Sequence, residues 1–207
     1  MLAPAPGHAA VKTTPVAGLV LAGGKARRLG GGDKPLLQLG ATTMLGHIIL
    51  AVRDDVPDIA ISANDNPARF ADFGLPVLAD GPFENQGPLA GVLAGLEWAD
   101  GLGAAALLTV PGDTPLLPRG LAAALTPAPR CAASKHHAHH LVALWPVAAR
   151  ELLRRLLSSP GRRDVAHFAR LIGMRHVEFP VTKWDPFLNV NTPEDLALVR
   201  AIMEGKL

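Results

Sequence analysis

Leu19-Val-Leu-Ala-Gly-Gly-Lys-Ala-Arg-Arg-Leu-Gly-Gly-Gly-Asp-Lys34 runs from an apolar segment into a loop of five glycines, three basic residues, Asp33 and Lys34. The segment Val16–Leu21 is continuous and apolar, as expected of a strand buried on both faces. Glycines let backbone N–H groups crowd around an anion, and nearby cations neutralise it. At the end of the first strand of an α/β domain, such a loop is placed to grip a phosphate chain. It is not a Walker A sequence, because no Gly-Lys is followed by Ser or Thr. Its glycines also miss the Gly-x-Gly-x-x-Gly spacing of dinucleotide binders.

Outward from this stretch, strand and helix patterns alternate. Further strands are predicted at 59–62, 76–78, 104–110, 131–134, 141–145 and 176–179. Helices are predicted at Met44–Val52, 87–98, 118–125, 147–158 and Val165–Leu171, with a helical turn at Pro67–Phe73. The 147–158 helix is amphipathic: Ala149, Leu152, Leu153, Leu156 and Leu157 face one way, and Arg150, Glu151, Arg154 and Arg155 the other. A last helix starts at Thr192, which can cap it, with Pro193 at the first helical position and Asp195 reaching back. This alternation implies an α/β fold with a mainly parallel sheet and helices on both faces. No repeat or long linker divides the 207 residues, so the expected organisation is a disordered tail over 1–14 and one domain over 15–207.

Composition narrows the partners. A net charge of +2, with no basic run interleaved with aromatics, argues against nucleic acid. No apolar run has bilayer-spanning length, and the Ala/Pro-rich start lacks a charged region ahead of an apolar core. The single cysteine, Cys131, forms no intrachain disulfide. A cytoplasmic protein without membrane or nucleic-acid partners is expected.

Four further motifs bear on chemistry. Val110-Pro-Gly-Asp-Thr-Pro115 presents Asp113 at a strand end, where a carboxylate can hold Mg²⁺. Asp80 precedes Gly87-Pro-Leu-Ala-Gly91, either as part of a nucleotide pocket, on a base or ribose, or as turn chemistry alone. Asn189 and Asn191 either order the site or satisfy backbone groups, the second being marginally the better reading on sequence alone. Arg162 and Arg163, at a loop mouth, are surface charge or a grip on a second anionic substrate. The run His136, His137, His139, His140 lacks ligand spacing and reads as a solvated loop rather than a metal site. Gly101-Leu-Gly-Ala-Ala-Ala106 precedes a strand instead of following one, and so reads as a turn.

Together, Leu21 to Lys34, Asp80, Gly87-Pro-Leu-Ala-Gly91, Gly112-Asp-Thr-Pro115 and Asn189-Val-Asn-Thr-Pro-Glu-Asp195 resemble, in order and spacing, the molybdenum cofactor guanylyltransferases. The resemblance covers about 16–203. It implies a three-layer α/β/α Rossmann-like nucleotidyltransferase fold. It implies transfer of GMP from GTP to the terminal phosphate of molybdopterin, with Mg²⁺ as cofactor and pyrophosphate released. By resemblance, Leu21, Ala22, Gly23 and Gly24 contact the nucleotide, the first three through the backbone, Lys34 holds phosphates, and Asp80 contacts the nucleotide. Asp113 binds Mg²⁺ and nucleotide, and Lys34 and Asp113 are the catalytic pair. Ser62 and Asn64 stand where the family often has Asn-x-Asn, and are taken as nucleotide contacts. Arg28, Arg162, Asn189 and Asn191 are candidates for acceptor binding or site ordering. Partners so implied are GTP, molybdopterin and, transiently, cofactor-synthesis or molybdoenzyme-maturation proteins. Rival readings are a cytidylyl- or sugar-phosphate nucleotidyltransferase, and a non-catalytic cofactor carrier.

Overall fold

The computed structural model describes residues 15–23, 33–64 and 66–207. The expectations for the tail over 1–14, and for Gly24 and Arg28, lie outside the described residues.

In chain order the strands and helices are β1 (Val16–Leu21), β2 (Gln38–Leu39), β3 (Thr42–Thr43), α1 (Met44–Val52), β4 (Asp58–Ser62), β5 (Val77–Leu78), α2 (Pro88–Gly101), β6 (Ala106–Pro111), α3 (Leu121–Leu125), β7 (Arg130–Ser134), β8 (His137–Pro146), α4 (Arg150–Ser158), α5 (Val165–Leu171), β9 (Arg175–Glu178) and α6 (Pro193–Met203). Seven strands form one sheet in the order β5-β4-β1-β6-β8-β7-β9, and β2 and β3 pair separately. β5, β4, β1 and β6 run parallel. β8 is antiparallel to both its neighbours, and β9 is parallel to β7. The sheet is therefore mixed but mostly parallel, and apolar β1 lies inside it with both faces covered.

Helices cover both faces. Met44, Leu45 and Ile48 of α1, Leu121 and Leu125 of α3, and Val199 of α6 share one buried cluster. Leu89, Leu93 and Leu96 of α2, Leu153 and Leu157 of α4, and Phe168 of α5 share the other. Each buried Leu or Phe side chain contributes roughly 1.5–3 kcal/mol relative to exposure. Trp145, fully buried, stacks on Phe168 with ring centroids 5.7 Å apart. Its Nε1–H donates to Thr109 Oγ1 at 2.8 Å, and Thr109 donates in turn to the Leu141 carbonyl at 2.8 Å. The polar atoms that the indole and the threonine carry into the core thus have partners.

Two expectations change. The 147–158 helix begins as a 3₁₀ turn over Val147–Ala149 before α4 proper. The histidine run is not a solvated loop: His137 to His140 belong to β8, and His139 and His140 are half-buried. Ser134 pairs directly with His137. Between them Lys135 and His136 have φ of 47° and 62°. Positive φ at both central residues is what a tight two-residue hairpin turn demands. The strands therefore continue to the turn, leaving no room for a longer loop.

α6 starts as expected. Thr192 Oγ1 accepts from the Asp195 N–H at 3.2 Å, and Asp195 Oδ2 accepts from the N–H groups of Asn191 and Thr192, each at 2.9 Å. Thr192→Ala should therefore lower stability by about 1 kcal/mol, read as a lower urea midpoint at unchanged slope. The Asn191 and then the Thr192 donors hold the Asp195 carboxyl below the usual carboxylate range. This stabilisation is present above the unfolded-state value and is lost as pH falls through the depressed one.

Candidate active site

From β1 the chain builds β4 and β5 on one side, then returns to place β6 on the other. The carboxyl ends of β1 and β6 therefore flank a topological switch point, where a crevice opens. A cleft of about 460 Å³ lies there, lined by Leu21, Gly23, Lys34, Ser62, Asn64, Asp80, Asp113 and Asn189 among others. That volume falls in the roughly 300–1,000 Å³ range of small-molecule sites.

Glycines set how closely the walls approach. The Gly112 N–H donates to the Leu21 carbonyl at 2.9 Å. A Cβ on Gly112 would lie 3.1 Å from that oxygen and 3.2 Å from Ala22 Cα. Glycine thus lets the ends of β1 and β6 draw together and brings Asp113 beside Lys34. Across the cleft, a Cβ on Gly91 would collide with Ser62 Oγ, so α2 seats its first turns directly on the end of β4.

Lys34 opens a 3₁₀ turn and is buried, at 8% exposure. Its Nζ donates to Asp113 Oδ2 and to Asn191 Oδ1, each at 2.7 Å. The two side chains of the ion pair are unequally covered, Lys34 at 10% and Asp113 at 27% exposure. Lys34 is the inner partner, and the Asp113 carboxylate looks into the cleft. Segment 189–191 is fastened across the end of β6: Val190 N–H donates to the Asp113 carbonyl at 2.9 Å, and Thr114 Oγ1 donates to Asn189 Oδ1 at 2.7 Å. Both asparagine oxygens thus accept from side chains of the site. This corrects the reading that they only satisfy backbone groups.

Asp80 and Asn64 hold each other reciprocally. Asn64 Nδ2 donates to Asp80 Oδ2, and the Asp80 N–H donates to Asn64 Oδ1, both at 2.8 Å. Burial pushes the Asp80 carboxyl upward, Asn64 opposes that, and neighbouring Glu84 adds to it.

The donor set accommodates a hard cation. Two oxygens, from Asp113 and Asn191, already grip the Lys34 ammonium. Among the described residues Asp113 Oδ1 meets only Thr114 Oγ1, at 3.5 Å, a weak contact. The carboxylate oxygen that Lys34 leaves free could hold Mg²⁺ together with water and substrate phosphates.

The model of the MobA-like NTP transferase domain matches residues 18–176, which spans β1 through the start of β9 and contains most of this cleft. The chain belongs to the MobA-like NTP transferase family. It is 54% identical over 183 residues to the molybdenum cofactor guanylyltransferase of Acidiphilium cryptum, covering 88% of this chain and 93% of that one. It is 45% identical to the protein of the same name from a Bradyrhizobium species, over 89% and 92% of the two chains. Among solved structures it resembles molybdopterin-guanine dinucleotide biosynthesis protein A of Archaeoglobus fulgidus, with a TM-score of 0.72 at 18% identity over 91% and 99% of the chains.

Within this family framework, two expected positions make other contacts. Ala22 is buried, and its N–H donates to the Ser62 carbonyl at 2.9 Å, so that N–H is already paired. Leu21 and Gly23 on either side of it do line the cleft. Arg162 is exposed and donates to Asp164 Oδ2 at 2.9 Å, while Asp164 caps α5 through the His167 N–H at 2.9 Å. It serves a helix end rather than the cleft. Its neighbour Arg163 instead reaches Gln86 Oε1 at 2.7 Å, beside the cleft-lining Asn85 and Gly87.

Other site residues had no sequence signal. Asn85 lines the cleft in a left-handed conformation, φ 66°. Arg69 pairs with Asp33 and lies 4.6 Å from the Phe70 ring centroid, anchoring the residue just before Lys34. At the β7–β8 hairpin, His139 Nε2 donates to Ser134 Oγ, which donates to Asp185 Oδ2, both at 2.7 Å. Burial lowers the His139 pKa, with Asp185 opposing, so the ring is held neutral at pH 7. No helix among the described residues is long and apolar enough to cross a membrane.

Proposed function

We propose that this chain is a molybdenum cofactor guanylyltransferase, moving GMP from GTP to the terminal phosphate of molybdopterin and releasing pyrophosphate. The observation that carries this reading is the 54% identity, over 88% of the chain, to the Acidiphilium cryptum guanylyltransferase. The chemistry of the cleft supports it.

A phosphate monoester has a second pKa near ~6 and is mostly dianionic at pH 7. An acceptor oxygen can therefore attack the α-phosphorus of GTP without a general base. A bond forms from that oxygen to phosphorus, the bond from phosphorus to the α–β bridging oxygen breaks, and its electron pair leaves with pyrophosphate. No proton has to be removed in this step. What the protein must supply is positioning of two anions and stabilisation of the leaving charge.

Lys34 is placed to do the second. An ammonium has three donors, and two are engaged by Asp113 and Asn191. The third has no partner among the described residues and can turn to a phosphate oxygen while the other two fix the nitrogen. Gly23 and Leu21 bring backbone to the same wall. Asp80 offers acceptor oxygens in the lining of the cleft, suited to the N–H donors that guanine presents and cytosine or uracil lacks in that arrangement. Asn64 fixes the orientation of that carboxylate. Asp113, with waters and phosphate oxygens, would hold Mg²⁺, which when bound neutralises phosphate charge as a Lewis acid.

A thermal-shift panel of GTP, CTP, ATP and UTP with Mg²⁺ tests the base. GTP at about 100 times its Kd should stabilise the chain by ~2.7 kcal/mol, a rise of about 5–10 °C for this size. Pyrophosphate release should then require molybdopterin as well. A preference for CTP would make the chain a cytidylyltransferase, and binding without pyrophosphate release would make it a carrier.

A further inference from the structure

Away from the cleft, Cys131, His140 and His176 bring one ligand-type atom each to within 4.8 Å of one another. Sheet register assembles them. Cys131 on β7 and His176 on β9 are direct parallel partners. On the other side, the pairing of β7 with β8 shifts: Cys131 opposes Ala143, whereas Ala132 opposes His139. Carried one residue further, the hairpin register that pairs Ala132 with His139 sets His140 beside Cys131. The irregularity then takes up Leu141 and Val142 before Ala143 rejoins the ladder opposite Cys131, which leaves His140 at the thiol. Its ring stands edge-on to that of His176, with centroids 5.8 Å apart.

The three side chains grade from core to surface. Cys131 is fully buried, His140 half-buried and His176 exposed. A cation can thus enter past the edge strand β9 and meet a thiol at the bottom. One sulfur and two imidazole nitrogens form a borderline-to-soft donor set, suited to Zn²⁺ or Cu⁺ and unsuited to Mg²⁺. None of the three ligands lines the nucleotide cleft, although Leu141, next to His140, does; β7 itself is three strands from β1, roughly 14 Å at ~4.8 Å per strand.

We propose that Cys131, His140 and His176 form a binding site for a borderline transition-metal ion, represented by Zn²⁺, with water in the fourth position. On binding, the Cys131 S–H bond breaks, its proton goes to solvent, and the sulfur lone pair bonds the metal. Each imidazole contributes one nitrogen lone pair and keeps the proton on its other nitrogen. Burial pushes the free thiol up to about 11, so the proton stays until a cation displaces it. Burial, then His176, lowers His140, so its ring is neutral and able to ligate at pH 7. Arg170 also acts on His140 and opposes a dication, and the thiolate charge offsets it. The bound ion would tie the edge strand β9 to β7 and β8.

The test is spectroscopic and uses the full chain. Cys131 is the sole cysteine in the sequence, so a thiolate-to-cobalt charge-transfer absorption can arise from this site alone. Titration with Co²⁺ should give that absorption, saturating at one equivalent, and Zn²⁺ should displace it while raising the melting temperature. Cys131→Ser should abolish the absorption. His176→Ala, at an exposed position that leaves folding intact, should weaken metal binding at least about tenfold and remove most of the Zn²⁺ thermal shift. Cobalt bound with no thiolate absorption, or unchanged metal affinity in His176→Ala, would overturn the proposal. Neither result would bear on guanylyl transfer, because no residue of the cleft is altered.

Discussion

Asp113→Ala is expected to lower guanylyl transfer by at least about 10³-fold, the counterpart of roughly 4 kcal/mol of lost charge stabilisation. The carboxylate looks into the cleft from the end of β6 and is the more exposed member of its pair with Lys34. Its removal takes away the cleft-facing anion through which a divalent cation would be held against the phosphates. The protein should still fold. Breaking a fully buried ion pair costs about 3–5 kcal/mol, because the remaining charge is stranded. Here Asn191 Oδ1 still accepts from Lys34 at 2.7 Å, and water reaches the vacated side, so the loss should fall below that range. Asp113→Asn separates the two effects. An amide oxygen can keep the hydrogen bond to Lys34 but carries no charge, so stability should recover while turnover stays low. Pyrophosphate release at saturating GTP and Mg²⁺, beside a urea melt, reads both. Near-normal turnover in either variant would remove the carboxylate from the chemistry.

What the sequence displays is whatever depends on short-range pattern. Val16–Leu21 and Met44–Val52 are legible because their apolar residues sit at the right local spacing, and both occur with those bounds. The α6 capping box is legible because Thr192, Pro193 and Asp195 act on one another within one turn. The cleft is legible in outline for a similar reason: a glycine loop and a Pro-Gly-Asp each follow an apolar strand, and parallel strands bring such ends together. What fails is anything fixed by register between distant segments. Nothing near Asn191 announces that its amide oxygen will meet Lys34, 157 residues away. That the Ala22 N–H is engaged follows from the alignment of β1 with β4. Arg162 and Arg163 are adjacent and alike, and only the course of the turn after α4 sends one to Asp164 and the other to Gln86. The histidine run misleads because its hairpin turn uses Lys135 and His136, without the Asn-Gly or Asp-Gly that would signal one.

Lys34→Ala should weaken GTP binding by more than the about 10–150-fold that corresponds to the ~1.5–3 kcal/mol of one hydrogen bond to a charged group. The lost bond is only part of the effect. Lys34 also neutralises Asp113, whose Oδ2 lies 2.7 Å from the ammonium. Without the lysine, a carboxylate with no counter-charge would face an incoming triphosphate, and like charges at short range repel. The single substitution should therefore cost more affinity than the hydrogen bond alone. Adding Asp113→Asn to Lys34→Ala should then recover part of the GTP affinity when binding is measured calorimetrically without divalent cations. That recovery is a coupling energy, which a double-mutant cycle isolates. Lys34→Arg should not rescue, because the planar guanidinium is bulkier than an ammonium confined at 10% exposure between two oxygens. Unchanged affinity in Lys34→Ala would place the phosphates away from this lysine. Strictly additive losses in the double variant would show that the carboxylate and the triphosphate do not share a field, and so would move the phosphate chain off the wall formed by β1 and β6.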